Sequence, residues 1–131
     1  MTDKELLYAE AKRTINNAYA PYSNYKVGAA IVTNNGNVYT GCNVENSSYP
    51  NGICAEKVAL SKAISSGDNK AFIAIAIVSD GDNYPSPCGG CRQFLSEFVG
   101  DDFKVILAKS TEDYKIVDFA ELLPLSFKLE R

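Results

Sequence analysis

The sequence predicts an α/β fold of three layers, α/β/α, with a five-stranded mixed sheet at its centre. Three observations lead there. Segments with helical periodicity alternate with short apolar, β-branched segments in the order α-β-β-α-β-α-β-β-α. Helices joining successive strands require part of the sheet to be parallel, with helices on its faces. One segment, Ala71 to Val78, is apolar nearly throughout, as a central strand buried on both faces must be. At 131 residues the chain has the length of one domain with a real core, and residues 1–131 are read as a single domain.

Each element has its own signal. From Thr2 to about Ala20 the periodicity is helical: Leu6, Leu7, Ala9, Ile15, Ala18 and Tyr19 share a face, Thr2 or Asp3 supplies an N-cap, and Pro21 closes the element. A polar, aromatic loop, Ala20 to Tyr25, leads into a strand from Lys26 to Thr33. Asn34-Asn35-Gly36 is hairpin-turn chemistry, and the returning strand runs from Asn37 to Val44. The small residues Gly28, Ala29 and Ala30 predict close approach of another element, such as the helix that follows Cys54. Pro50-Asn51-Gly52 is a turn. The helix after it carries Val58, Ala59, Leu60, Ala63 and Ile64 at three- and four-residue spacing, and Gly67 ends it. After the central strand, a loop from Ser79 to Pro87 delivers a helix from Cys88 to about Val99. Gly100-Asp101-Asp102 turns the chain into a strand over Phe103 to Ala108. Tyr114 to Val117 is a weaker edge strand, and Asp118 caps a short helix through Leu123.

Composition removes several function classes. A net charge of -3 without any run of Lys or Arg offers no electrostatic grip on nucleic acid, so no nucleic-acid partner is expected. No apolar run approaches the roughly 20 residues of a membrane span, so no membrane partner is expected either. MTDKELLYAE is charged from its third residue, unlike a secretion signal, and the cytoplasm is the expected compartment. In that compartment four cysteines point to metal or catalysis rather than to disulfides. Cys42, inside a strand, reads as a small buried apolar residue.

The other three cysteines open helices. Cys54-Ala55-Glu56-Lys57 puts a thiol and a carboxylate two positions apart at a helix start. Pro87-Cys88-Gly89-Gly90-Cys91-Arg92-Gln93 offers two more thiols at the start of another. Unpaired N–H groups and the helix dipole favour thiolates there. A CxxC alone is also a redox dithiol, but that chemistry needs no third cysteine or acid. A structural zinc site closes with four ligands, and the chain has no histidine and only Cys42 to spare. Three sulfurs, an open position and the non-ligand acid Glu56 match catalytic zinc. An acid in a first helical turn is favourable without any chemistry, yet its place two residues after a ligand favours the catalytic reading. Three thiolates on Zn²⁺ leave one net negative charge, which the two helix N-termini, Lys57 and Arg92 would offset. Asn43-Val44-Glu45-Asn46 ends a strand just before Cys54, so its amide and carboxylate groups must lie near the metal, where they suit a hydroxylated ligand.

The Cys54-Ala55-Glu56 and Pro87-Cys88-Gly89-Gly90-Cys91 blocks together carry the zinc-deaminase signature in its three-cysteine form. With Ala20-Pro21-Tyr22-Ser23, Val27-Gly28-Ala29-Ala30, Gly41 to Asn46 and Glu121-Leu122-Leu123-Pro124, the chain resembles the small homotetrameric cytidine deaminases of pyrimidine salvage along almost its whole length. The resemblance implies a cytidine-deaminase-like fold, one zinc per subunit on Cys54, Cys88 and Cys91, and hydrolysis of cytidine and deoxycytidine to uridine and deoxyuridine plus ammonia. Hydroxide held at the zinc attacks C4, while Glu56 moves protons to N3 and then to the departing amine. Ala55 N–H holds the base carbonyl, and Asn43 and Glu45 hold the ribose 3′-hydroxyl. Tyr25 takes an aromatic position that is usually Phe, and Tyr49 and Phe127 are contributed across subunits, with Phe127 stacking on the base. Lys57 stands where many relatives carry Arg. Because a point charge cannot bridge two sulfurs as a guanidinium does, Arg92 is expected to offset more of the charge. A blasticidin-S-type nucleoside-antibiotic deaminase shares the cysteine pattern, but Glu45 favours the plain ribonucleoside. A non-catalytic zinc-binding assembly protein would have no use for Glu56.

Overall fold

In the computed structural model, which describes residues 4–68 and 71–129, ten short elements build one sheet and its covering layers. They are α1 (Lys4–Ile15), β1 (Val27–Thr33), β2 (Val38–Cys42), a 3-10 turn (Tyr49–Asn51), α2 (Ala55–Ser65), β3 (Phe72–Ser79), α3 (Gly89–Ser96), β4 (Lys104–Ala108), β5 (Tyr114–Asp118) and α4 (Phe119–Leu122). The element order is the expected one. The sheet is five-stranded and mixed, with strand order β2-β1-β3-β4-β5. Only β3 and β4 pair in parallel; β1 runs antiparallel to both β2 and β3.

Alternation along the strands gives each face its core. Ala29, Ile31, Ile75, Ile77, Val105 and Leu107 face α2 and α3, where they meet Ala55, Ala59, Leu60 and Leu95. Ala30, Val32, Ala74, Ala76 and Ile106 face α1 and meet Leu7 and Ala11. The middle of β3 is buried on both faces, which is why it reads as an uninterrupted apolar run.

Two expectations change in the structure, and one falls outside the described residues. The first helix ends at Ile15, not near Ala20, and it buries Leu7, Ala11 and Thr14 rather than the wider set; Leu6 and Tyr19 are exposed. Tertiary pairing overrides the periodicity, because Tyr19 N–H donates to Asn43 O and Tyr19 O accepts from Glu45 N–H. The expected N-cap at Thr2 or Asp3 lies outside the described residues. The close approach expected of Gly28, Ala29 and Ala30 is divided between two helices: Ala29 packs with Ala55 and Ala59 of the helix after Cys54, whereas Gly28 meets α1, where a Cβ would lie 2.1 Å from Ala11 O. The helix after Cys54 also rests on Gly41, where a Cβ would lie 2.5 Å from both Ala55 O and Ala59 N.

This topology positions the site. Because β2 and β3 are both antiparallel to β1, they run in the same direction, and their ends, Cys42 and Ser79, flank the start of β1 at Gly28 and Val27. The loops leaving those ends therefore emerge at one edge of the sheet, and they lead to the N-termini of α2 and α3.

Candidate active site and metal centre

Both helix starts are capped by cysteine. Cys54 is the N-cap of α2 and Cys88 of α3, each in extended backbone. The thiols of Cys54, Cys88 and Cys91 lie within 4.8 Å of one another, and the Cys54 and Cys88 sulfurs are 3.7 Å apart. Tetrahedral zinc with Zn–S near 2.3 Å sets its sulfurs about 3.8 Å apart, so the spacing fits that ion. Cys91 is buried at the back of the group, and its N–H donates to Cys88 Sγ at 3.4 Å.

The protonation chemistry of the cluster points the same way. A hydrogen bond from Cys91, helped by Cys88 and the charge of Lys57, brings the Cys54 thiol down to about 6 against the opposing effect of burial. Cys91, which supplies that hydrogen bond, is held well above the ordinary thiol range, with burial adding to the effect. Three thiols at this spacing, one of them readily deprotonated, fit zinc.

Glu56, in the first turn of α2, is only 5 % exposed. Burial pushes its carboxyl up to about 7, and the Cys54 thiolate pushes the same way. A carboxyl that sits between its two protonation states near neutral pH is suited to proton transfer. It opens onto a cavity of about 180 Å³ whose wall includes Tyr25, Val27, Asn43, Cys54, Ala55, Ile77, Pro85, Ser86 and Cys88. Asn43 is fixed at both ends of its amide: Oδ1 accepts from Val27 N–H at 2.9 Å and Nδ2 donates to Tyr25 O at 2.8 Å.

The other expected residues lie apart from this group. Glu45 and Tyr49 line a wider, outer cavity of about 330 Å³ with Tyr22, Ser23, Asn46 and Gly52. Both carboxylate oxygens of Glu45 are engaged: Oε1 accepts from Tyr22 and Ser23 N–H at 3.0 and 3.1 Å, and Oε2 accepts from the Ser23 hydroxyl. That hydroxyl is the main reason the Glu45 carboxyl is held below its ordinary value. Tyr49 is 75 % exposed, with its ring 6.0 Å from that of Tyr22. Phe127 is 68 % exposed, while its carbonyl accepts from Gln93 Nε2 at 3.2 Å and Lys128 Nζ donates to Ser96 O at 2.8 Å. Those two bonds tie the tail to α3.

The two cations are held in different ways. Arg92 donates through Nε to Pro87 O, through Nη1 to Leu122 O and through Nη2 to Ser86 Oγ, each at 2.9 Å. It braces the approach to Cys88 from α3 and the end of α4. The charge that lowers the Cys54 thiol is that of Lys57, whose Nζ also lies 5.7 Å from the Phe94 ring centroid. Pro85 and Ser86 as cavity wall, and Tyr22 and Ser23 as partners of Glu45, escaped sequence reasoning. The first pair had a signal in its closeness to Cys88; the second had one in the Ala20-Pro21-Tyr22-Ser23 block, although the two backbone N–H groups that also hold Glu45 leave no mark in a sequence.

Residues 1–108 match the family model described as the cytidine and deoxycytidylate deaminase zinc-binding region. The chain belongs to that family. Among curated relatives, the cytidine deaminase of Sporosarcina psychrophila is 43 % identical over 128 residues, 98 % of this chain and 93 % of the relative. That of Halalkalibacterium halodurans is 41 % identical over 98 % of this chain and 96 % of the relative. The crystal structure of cytidine deaminase from Burkholderia pseudomallei superposes with a TM-score of 0.91 at 42 % identity, covering 96 % of this chain and all of that one (100 %). The Cys54, Cys88 and Cys91 cluster is suited to hold a metal ion, consistent with the zinc-binding region of this family.

Proposed function

We propose that the protein is a zinc-dependent hydrolase that converts cytidine, and deoxycytidine, to the corresponding uridine and ammonia, as part of pyrimidine salvage in the cytoplasm. The observation that carries this reading is the buried Glu56 beside the three thiols, on a cavity large enough for one pyrimidine ring. Cys54, Cys88 and Cys91 would hold the zinc, which when bound would supply Lewis acidity to a water in the site. Glu56 accepts the proton of the attacking water as its oxygen adds to C4 of the base. It then passes a proton to N3 and assists N4 as it leaves, so that cytidine and water become uridine and ammonia. The proton capacity of Glu56 near neutrality suits both directions of transfer. Ala55 N–H, at the open start of α2, holds the base carbonyl, and Asn43 and Glu45 orient the ribose.

The exposure of Tyr49, Ile53, Leu125, Phe127 and Leu129 supports a homotetramer in which Tyr49 and Phe127 complete a neighbour's site. Among the described residues no helix is long and apolar enough to cross a membrane.

The test is the ultraviolet absorbance of cytidine mixed with zinc-replete protein at neutral pH, with ammonia measured in the same sample. A fall in absorbance with one ammonia per uridine is the expected result. A folded, zinc-loaded sample that leaves cytidine unchanged would remove the assignment.

A further inference from the structure

We infer that Gly81 is a positioning residue that sets the width of the nucleoside cavity by seating the ring of Tyr25; the inference rests on the function proposed above. Tyr25 lines the cavity, and Gly81 lies against its ring. The contact behind the ring is close: a Cβ on Gly81 would lie 2.9 Å from Tyr25 Cε1 and 3.6 Å from Cδ1. Carbon atoms pack best at about 3.5–4.0 Å, so a methyl group there forces the half-exposed ring to move, and with it a part of the cavity wall.

Neither side of this contact is free to drift. Lys26 N–H donates to Asp80 Oδ1 at 3.0 Å and Asp80 N–H donates to Lys26 O at 3.1 Å, which joins the turn after β3 to the residue following Tyr25. The carbonyl of Tyr25 is held by Asn43 at 2.8 Å, and Gly81 N–H is held by Ser79 Oγ at 3.2 Å. With both backbones pinned, the soft coordinate is the side-chain torsion of Tyr25. The same loop continues to Pro85, Ser86 and Cys88, so one segment supplies part of the cavity wall and seats the residue opposite.

The experiment compares Gly81→Ala in the native chain and in a Tyr25→Ala background, with zinc content, thermal midpoint and cytidine kinetics for each. In the native background KM rises about three- to tenfold with kcat within about twofold and zinc unchanged, because the ring obstructs binding rather than chemistry. In the Tyr25→Ala background the same substitution changes KM by less than about twofold, because no ring remains to be displaced. An unchanged KM in the native background, or an equal rise in both, would overturn the assignment. A crystal structure of Gly81→Ala gives a readout independent of turnover: the ring shifts by about 1 Å, and an unmoved ring contradicts the inference. If the native protein does not act on cytidine, the proposed function fails, and the ring position alone then decides the role of Gly81.

Discussion

The inner and outer cavities sit on neighbouring loops and are built in opposite ways. The inner one gathers groups held away from their ordinary protonation: Glu56 pushed up by burial, Cys54 brought down by Cys91, and Cys91 pushed up in return. In the outer one the single carboxylate, Glu45, is fully satisfied by Ser23 and Tyr22, and the rest of the wall includes the exposed ring of Tyr49. Stored imbalance marks the place where protons and a metal are handled. A satisfied carboxylate beside exposed rings marks a place that holds shape, and whose apolar side is suited to cover from another chain.

That contrast breaks or sharpens under substitution. The largest effect falls on the metal. Cys91→Ala should reduce zinc to background and abolish turnover, since two ligands hold the ion far more weakly than three, whereas Tyr49→Ala keeps its zinc. Metal analysis of the two purified variants decides, and stoichiometric zinc in Cys91→Ala would erase the distinction. A second contrast concerns support. Gly41→Ala drives a Cβ into the backbone of α2, the helix that carries Cys54 and Glu56, and should cost about 1–3 kcal/mol in denaturant unfolding. Gly52→Ala, in the outer wall, meets nothing nearer than Tyr49 O at 3.4 Å and should stay within about 0.5 kcal/mol. Equal losses would mean that the two cavities are equally tightly backed.

The smallest effect is that of Glu45→Gln, which should raise KM a few-fold and leave zinc and kcat nearly intact, as a loss of binding alone does. It also carries a pH signature. The folded-state pKa of Glu45 lies below the unfolded value near 4.3, so its contribution to stability is whole above that pH and is lost as pH falls through the lower folded value. The difference in thermal midpoint between native and Glu45→Gln chains should therefore be largest at neutral pH and shrink in acid. A difference that grows in acid would show that the carboxylate is not held by Ser23.

Much of the inner cavity was legible in the sequence because its chemistry is local. Cys54 and Glu56 are two residues apart, Cys88 and Cys91 three, and each pair announces a helix start that pins its own geometry. The sheet was legible for the same reason: the apolar run of β3 and the Asn-Gly hairpin are short-range signals. What escaped depends on distant backbone. Tyr19 leaves the helical pattern because it pairs with Asn43 and Glu45, and Glu45 is satisfied by amides more than twenty positions away in the chain. The three donors of Arg92 are directed to Pro87, Ser86 and Leu122, which no local pattern announces. Residue type gave its charge correctly; only the fold could give its direction.

On the function proposed above, Glu56 moves the protons of a reaction carried out at the three-sulfur site. Its most direct test is Glu56→Gln, with zinc content and cytidine turnover measured on the same preparation. Full zinc is expected, with kcat lowered about 10²–10⁴-fold, the range that a positioned general acid–base contributes. Turnover within a few-fold of the native protein, with zinc intact, would contradict that role.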